Sequence, residues 1–330
     1  MKKILISVLF CLSLCGCFKN EINSSIYISS IGFEVKDDKV VCYFLSNPLN
    51  DISRKDGGGE EKETEYIKIE ANSIDEAFKR AEKTLLLPLN YRHVKSVIFH
   101  KDFFVSNYVE EFFRFMRSGV KVTYNYYVFA TKDKIDEVLE FKNPEQLSYQ
   151  HSILSSPNLI EFDKYGLEQM HFLDFANDYF EEKRYLHIPL ISVNSDWNKN
   201  KTLEISGYLA FKKNELNIFE NKDYLGMIYL KDQEMTVLNS TDAAYRILGY
   251  KVSFKEVEGV FTILAKYEDV YIFGSGSREE LNIQLFNEIK KYLDDYIAKY
   301  NDLYLITEYN YLNKKALNVL SYDIKIENIK

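Results

Sequence analysis

The sequence predicts an α+β fold in more than one domain, with mixed β-sheets flanked by helices and a long C-terminal helix packed on a sheet. Three observations carry this. Between residues 66 and 130, short runs of strand pattern take turns with stretches of helical period, the signature of layered α+β or α/β structure. Further on, Ser277-Arg278-Glu279-Glu280 is a capping box. Leu281, Leu285, Ile289, Leu293, Tyr296 and Tyr300 follow it as one stripe, as expected of a helix laid on a sheet. Finally, a chain of 330 residues favours about two domains, or three small ones.

Taken in order, Ile26 to Phe33 reads as a first strand, Lys36-Asp37-Asp38-Lys39 as a turn, and Val40 to Leu45 as the returning strand of a hairpin. From Asn47 to Glu65 the composition shifts to Pro, Asn, Asp, Gly and charge, which marks a mobile loop. Its Gly57-Gly58-Gly59 run is flanked by Asp56, Glu60 and Glu61, which would repel a phosphate. Tyr66 to Glu70 alternates as a strand. Ser73-Ile74-Asp75-Glu76 is another capping box and opens a helix with Ile74, Ala77, Phe78, Ala81 and Leu85 on one face and Pro88 beyond its end. Leu89 to Phe99 leads from a loop into a strand. A helix over about Phe103 to Ser118 turns Val105, Val109, Phe112, Phe113 and Met116 inward and stops at Gly119. Val120 to Ala130 then alternates, with Val120, Val122, Tyr124, Tyr126 and Val128 on one face.

Residues 131 to 184 read as mostly helical. Ile135, Val138 and Leu139 come first, breaks fall at Pro144 and Pro157, and a later helix runs through Leu167, Met170, Leu173, Phe175 and Phe180. Tyr185 to Val193 resumes extended structure, and the polar loop from Asn194 to Lys201 is the best candidate boundary. Beyond it, strands are expected near Leu203 to Lys212, Leu216 to Phe219, Met235 to Leu238, Tyr250 to Val257 and Val260 to Tyr267. After the long helix, Leu320, Tyr322, Ile324 and Ile326 alternate with Ser321, Asp323 and Lys325 as a half-exposed strand. The expected division is a signal peptide over 1–16, an N-terminal α+β domain over 17–135, a mostly helical middle region over 136–200 and a C-terminal α+β domain over 201–330.

The N-terminus sets the compartment. Lys2 and Lys3 precede an apolar run from Ile4 to Leu14, the layout of a secretory signal. That run falls well short of the ~20 residues that span a bilayer as a helix. Leu14-Cys15-Gly16-Cys17 is similar to the lipobox of bacterial lipoproteins, in which the cysteine thiol takes a diacylglyceryl group and becomes the mature N-terminus. Cys17 is therefore the expected lipidation site, since two acyl chains give stable anchoring where one gives only marginal binding. An ordinary signal peptide with a fortuitous cysteine is the alternative. After the signal no apolar run approaches membrane-spanning length, so the lipid is the only expected attachment.

Charge and cysteine count narrow the rest. Without Lys2 and Lys3 the basic residues number 42 − 2 = 40 against 50 acidic ones, a net charge of −10. Such a balance argues against nucleic acid, whose phosphates need clustered Lys and Arg. Of four cysteines, Cys11 and Cys15 leave with the signal and Cys17 carries the lipid. Cys42 alone remains, in the apolar run Val40 to Phe44, where cysteine packs as a small hydrophobe.

No active-site constellation emerges, so no catalytic residue, metal site or cofactor is expected. His93 and His100 stand seven residues apart around a strand and point to opposite faces, while His151, His171 and His187 are isolated. HExxH, GxSxG and Walker signatures are missing. Gly274-Ser275-Gly276-Ser277 could offer amides to an anion at a helix start, although a turn with an N-cap accounts for it more simply. Glu110-Glu111, Glu181-Glu182 and Asp294-Asp295 are neighbours on helices and diverge toward solvent. Of the 26 tyrosines and 23 phenylalanines much must be core, but some stretches include positions expected to be half exposed. Tyr124 to Tyr127 and Tyr304 to Tyr311, Tyr309 and Tyr311 among them, are candidates for partner contacts.

Several stretches together resemble the Ger(x)C family of spore germination lipoproteins. Gly16-Cys17-Phe18-Lys19-Asn20-Glu21-Ile22 is similar to its lipobox and the segment after it, with Phe18 where tryptophan is usual. Ile28 to Phe33 resembles its first strand, which ends in isoleucine-glycine. Ser73 to Ala77 and His93 to Ile98 resemble its helix entry and its histidine-x-lysine strand. Ile188-Pro189-Leu190 with Gly207 to Lys212 resembles the start of its C-terminal region. The resemblance covers nearly the whole chain. It implies a non-enzymatic C subunit of a nutrient germinant receptor, α+β throughout, on the outer face of the spore inner membrane, assembled with integral-membrane A and B subunits. A solute-binding lipoprotein of an importer is the alternative; it would need a cleft between two similar lobes, and no repeated pair of lobes is visible. A membrane-tethered hydrolase would need a nucleophile and base at a recognisable spacing.

Overall fold

The computed structural model describes residues 25–46, 66–118, 122–140, 153–154, 169–181, 186–194, 202–212, 215–220, 226, 229, 233–239, 243–257, 260–300 and 322–328. Strands β1 (Ile26–Lys36) and β2 (Lys39–Ser46) form an antiparallel hairpin in which Lys36 faces Lys39. Between them Asp37 and Asp38 take positive φ, 48° and 60°. A two-residue hairpin loop requires this conformation, and aspartate tolerates it better than most residues.

Strand β3 (Tyr66–Ala71) adds antiparallel to β2. The chain crosses over through α1 (Ile74–Thr84) and a short β4 (Leu89–Asn90) to β5 (Ser96–His100), which lies parallel to β1. A second crossover through α2 (Lys101–Phe104) and α3 (Tyr108–Arg117) leads to β6 (Tyr127–Thr131), parallel to β5. After α4 (Ile135–Leu139) and α5 (Phe172–Glu181), β7 (Leu186–Asn194) joins parallel to β6. Strands β8 (Thr202–Lys212) and β9 (Glu215–Glu220) complete the sheet antiparallel. Its order is β3-β2-β1-β5-β6-β7-β8-β9, with β4 beside β1.

The second, five-stranded sheet holds β10 (Gln233–Asn239), β11 (Ala243–Val257), β12 (Val260–Tyr267), β13 (Asp269–Gly274) and β14 (Tyr322–Asn328). Its long strand β11 pairs along its first half with β10 and β13 and along its second half with β12. Between β13 and β14 runs α6 (Arg278–Tyr300). The architecture is α+β, as the sequence predicts.

Strand β2 shows why the large sheet is covered on both sides. Every residue from Val40 to Leu45 is buried, and the run divides by parity. Cys42 and Phe44 join the core under α1, α2, α3 and α5, with Phe33, Phe78, Phe99, Phe103, Phe112 and Phe175. Val41, Tyr43 and Leu45 face the other way into a cluster with Ile98, Phe129 and Ile135 of α4, continuous with Tyr245, Ile247, Leu285 and Ile289 of the small sheet and α6. A continuous apolar run of this kind is what a central, doubly covered strand needs.

Several expectations require correction. The single helix over Phe103 to Ser118 is two helices, broken at Val105 to Asn107. Ser106 causes the break: its hydroxyl donates to the Phe103 carbonyl (2.6 Å) and accepts from the Tyr108 amide (3.2 Å). This local side-chain bonding competes with helix continuation, and Val105 turns out to solvent, 53% exposed. Of the strand expected over Val120 to Ala130, Val120 lies outside the described residues, and the strand found among the described ones begins at Tyr127; Val122 and Tyr126 are buried and Tyr124 is 45% exposed. The first half of β11 and all of β13 were not expected. Strands β7 and β8, which flank the boundary expected at 200/201, pair from Leu186↔Phe211 to Asn194↔Thr202, and the division of the chain into domains stays an expectation. The change of sheet comes between β9 and β10. The Asn47 to Glu65 loop and the segment around Leu167 lie outside the described residues.

Candidate functional site

Cys17 lies outside the described residues. The chain enters the fold nine residues later at Ile26, whose amide donates to the Pro88 carbonyl (3.0 Å). Ile26 and Tyr27 then pair with Leu89 and Asn90. The segment that would carry a lipid therefore joins the large sheet beside the loop that follows α1. That helix starts as its sequence suggests. The Glu76 amide donates to the Ser73 hydroxyl (3.1 Å), although the Glu76 carboxylate reaches the Asn72 amide (3.1 Å). The Ile74 amide is taken by Glu111 of α3 (2.6 Å). Glu111 thus turns inward to cap a neighbouring helix while Glu110 stays exposed, a role that their adjacency on one helix did not reveal.

The histidines with described positions serve packing and caps. His93 sits edge-on to Tyr27, ring centroids 5.1 Å apart. His100 begins α2, accepting from the Asp102 amide at Nδ1 (3.4 Å) and leaving Nε2 to donate to the Lys132 carbonyl (3.3 Å). His171 lies against Tyr127 at 4.3 Å, and His187 is buried near Tyr208. His151 lies outside the described residues. Among those residues no group of three or more His, Cys, Asp and Glu side chains could hold a metal ion. Cys42 is fully buried, and burial pushes its thiol well above its ordinary range. At Gly274 to Ser277 the expected turn and cap are seen: the Ser277 amide donates to Glu280 Oε2 (3.0 Å) and the Glu280 amide to Ser277 Oγ (3.2 Å).

A polar network between α4 and the sheet had no signal in the sequence, because its members run from residue 34 to residue 140. Tyr43 donates to Glu34 (2.7 Å), and Tyr66 donates to Asp136 (3.2 Å) and Glu140 (3.1 Å). Lys68 bonds Asp136 (2.7 Å) and stands 4.9 Å over the Tyr43 ring. Burial, then the neighbouring carboxylates, push both phenols far up, so they stay protonated at neutral pH and can donate to these carboxylates. The arrangement pins α4 over β2 and β3.

Exposed apolar side chains remain as candidates for contact. Tyr124 stacks on Phe172 (5.5 Å) and donates to the Met116 carbonyl (3.1 Å), so its exposed ring is held in place. Phe180 lies under the Arg117 guanidinium (5.4 Å) and is 53% exposed. Leu86 and Leu87 are exposed in the loop after α1, Leu86 completely. Tyr304 to Tyr311, with Tyr309 and Tyr311, lie outside the described residues. No helix among those residues is long and apolar enough to cross a membrane.

These features define an α+β scaffold whose carboxylates, histidines and phenols hold elements together and whose exposed aromatic and aliphatic side chains offer surfaces. The family model of the spore germination protein N-terminal domain matches residues 19–193, more than half of the 330-residue chain. The chain belongs to this family, the Ger(x)C family of spore germination proteins. Among solved structures, the crystal structure of the GerBC protein aligns at a TM-score of 0.46 and 14% identity, over 91% of this chain and 97% of that one. No curated protein matches.

Proposed function

We propose that the chain is the lipid-anchored C subunit of a spore nutrient-germinant receptor, a non-catalytic interaction component held on the outer surface of the spore inner membrane through Cys17. The observation that carries this is the family match over 19–193, which starts two residues after Cys17 and so sets the lipobox directly before the family's domain. Residues 1–16 act as the signal peptide, a fatty acyl group such as palmitate completes the anchor, and the integral-membrane A and B subunits are the partners. The engagement of His93, His100, His171 and Glu111 in packing and caps supports a non-catalytic role. An importer's solute-binding lipoprotein would call for two similar lobes. Among the described residues the two sheets hold nine and five strands in different orders, which favours the receptor.

The test is a strain lacking this chain. Spores should fail to germinate with the nutrient that their receptor serves and still germinate when triggered downstream of receptors. Normal germination with every nutrient, in a strain without a second receptor copy, overturns the proposal. Genes for A and B subunits beside this one support the receptor, and a transport ATPase there supports the importer.

A further inference from the structure

The fold places an exposed leucine pair at the point where the chain enters the sheet. The loop after α1 reads Leu85-Leu86-Leu87-Pro88. Leu85 is partly buried against the core, whereas Leu86 is 104% and Leu87 41% exposed. A single exposed leucine needs no explanation. Adjacent leucines at a loop tip are different, because turning them to water gains nothing for the fold.

Their position supplies the reason. The Ile26 amide is bonded to the Pro88 carbonyl (3.0 Å), and Leu89 pairs with Ile26. The leucine loop and the first residue of β1 are thus one locality. Ile26 lies nine positions after Cys17, and at up to ~3.6 Å per step this stretch spans roughly 30 Å at most. A lipid on Cys17 keeps this end of the sheet within that distance of the bilayer. Lys83 before the loop and Arg92 after it are exposed, with Glu82 as the acidic neighbour. Exposed apolar side chains flanked by basic ones suit the interface of an anionic membrane, where the leucines leave water and the cations meet headgroups.

We propose that Leu86 and Leu87 form a membrane-docking tip that inserts into the headgroup region and sets the orientation of the subunit on the bilayer. The lipid then fixes the chain to the membrane, and the tip decides which end faces it. This rests on the lipid-anchor reading of Cys17.

The full lipidated chain is placed on vesicles of phosphatidylglycerol and phosphatidylethanolamine and recovered by flotation. It carries an environment-sensitive fluorophore at Leu86→Cys or, in a second preparation, at Lys36→Cys. Lys36 is exposed at the far end of β1, ten residues from Ile26 and roughly 30 Å away at ~3.3 Å per residue. The expected result is a blue shift at Leu86→Cys together with quenching by lipids bearing a nitroxide near the headgroup, and neither at Lys36→Cys. Leu87→Asp should reduce the quenching at Leu86→Cys without preventing flotation. Floated protein whose Leu86 label stays in water, or whose two labels are quenched alike, overturns the docking tip while the anchor stands. The first of those results would leave a protein as the occupant of the leucines. Protein that does not float removes the anchor and the tip together.

Discussion

A Cβ placed on Gly32 would lie 2.5 Å from Ile135 Cγ2 and 3.3 Å from Tyr43 Cβ. Ile135 opens α4 and is fully buried, so the helix rests directly on the bare backbone of β1. The isoleucine-glycine pair by which this strand resembles its family thus has a packing cause. Gly32→Ala should cost about 1–3 kcal/mol as overpacking. Its cost should fall in an Ile135→Ala background, which removes the opposing methyl. Urea unfolding of the two single variants and the double variant measures the coupling. Additive costs would show that α4 yields at this point and that the contact does not restrict the residue.

What the sequence discloses is local. The Ser73 and Ser277 caps, the Asp37-Asp38 turn and the returning strand from Val40 to Leu45 are each set by a few adjacent residues, and each is found where the pattern places it. The pairing of β8 with β7 depends on which strand edge is free, and composition near Asn194 to Lys201 says nothing of that. The network joining Glu34, Tyr43, Tyr66, Lys68 and Asp136 exists only once β1, β2, β3 and α4 have been assembled. Val270-Tyr271-Ile272-Phe273 did carry a strand signal of alternating aliphatic and aromatic residues, and it became β13 with Val270 buried and Tyr271 and Phe273 outward. Of the candidate site, Cys17 was legible as a motif, whereas the leucine loop beside Ile26 needed the tertiary bond to Pro88.

The break between α2 and α3 separates two valines that helical periodicity treats alike. Val105→Ala should change stability by no more than about 0.5 kcal/mol, as at other surface positions. Val109, 2% exposed, should lose about 2 kcal/mol as Val109→Ala through lost burial and the cavity left behind. Equal losses in chemical denaturation would mean that Val105 is packed in solution and that the helix is continuous.

Cys42 gives a direct reading of the core. Its thiol is fully buried between β1 and β3, and burial raises its pKa well above normal. Because the thiolate is the reactive species, the native protein should resist a maleimide or disulfide reagent at neutral pH and react fully once denatured. Fast labelling under native conditions would show that the hairpin and β3 open readily.

Lipidation at Cys17 should be visible by metabolic labelling. A radioactive fatty acid should mark the wild type and leave Cys17→Ala unlabelled, with the variant released from the membrane fraction. The variant should also weaken germination, because a released subunit loses the high effective concentration that a shared membrane gives it near its partners. Wild type that stays with the membrane without taking up label would remove the lipid as the means of attachment.

The cap of α6 makes a pH prediction whose sign follows from its bonds. Glu280 accepts from the Ser277 amide (3.0 Å) and hydroxyl (2.8 Å). These bonds, the backbone one foremost, hold its carboxyl below the ordinary value of 4.5. A folded pKa below the unfolded one means that the unfolded chain binds its proton first as the pH falls. The contribution is therefore complete above about pH 4.5 and is lost as the pH drops through the lowered folded value. Glu70, held down chiefly by its bond to Lys39, titrates in the same acid range, so the difference between wild type and Glu280→Gln is the quantity to follow. Glutamine can still accept from Ser277 but does not titrate. The difference in unfolding free energy should favour the wild type at neutral pH and shrink steadily in acid. A difference independent of pH across this range would show that the Ser277 bonds do not hold the carboxylate in solution.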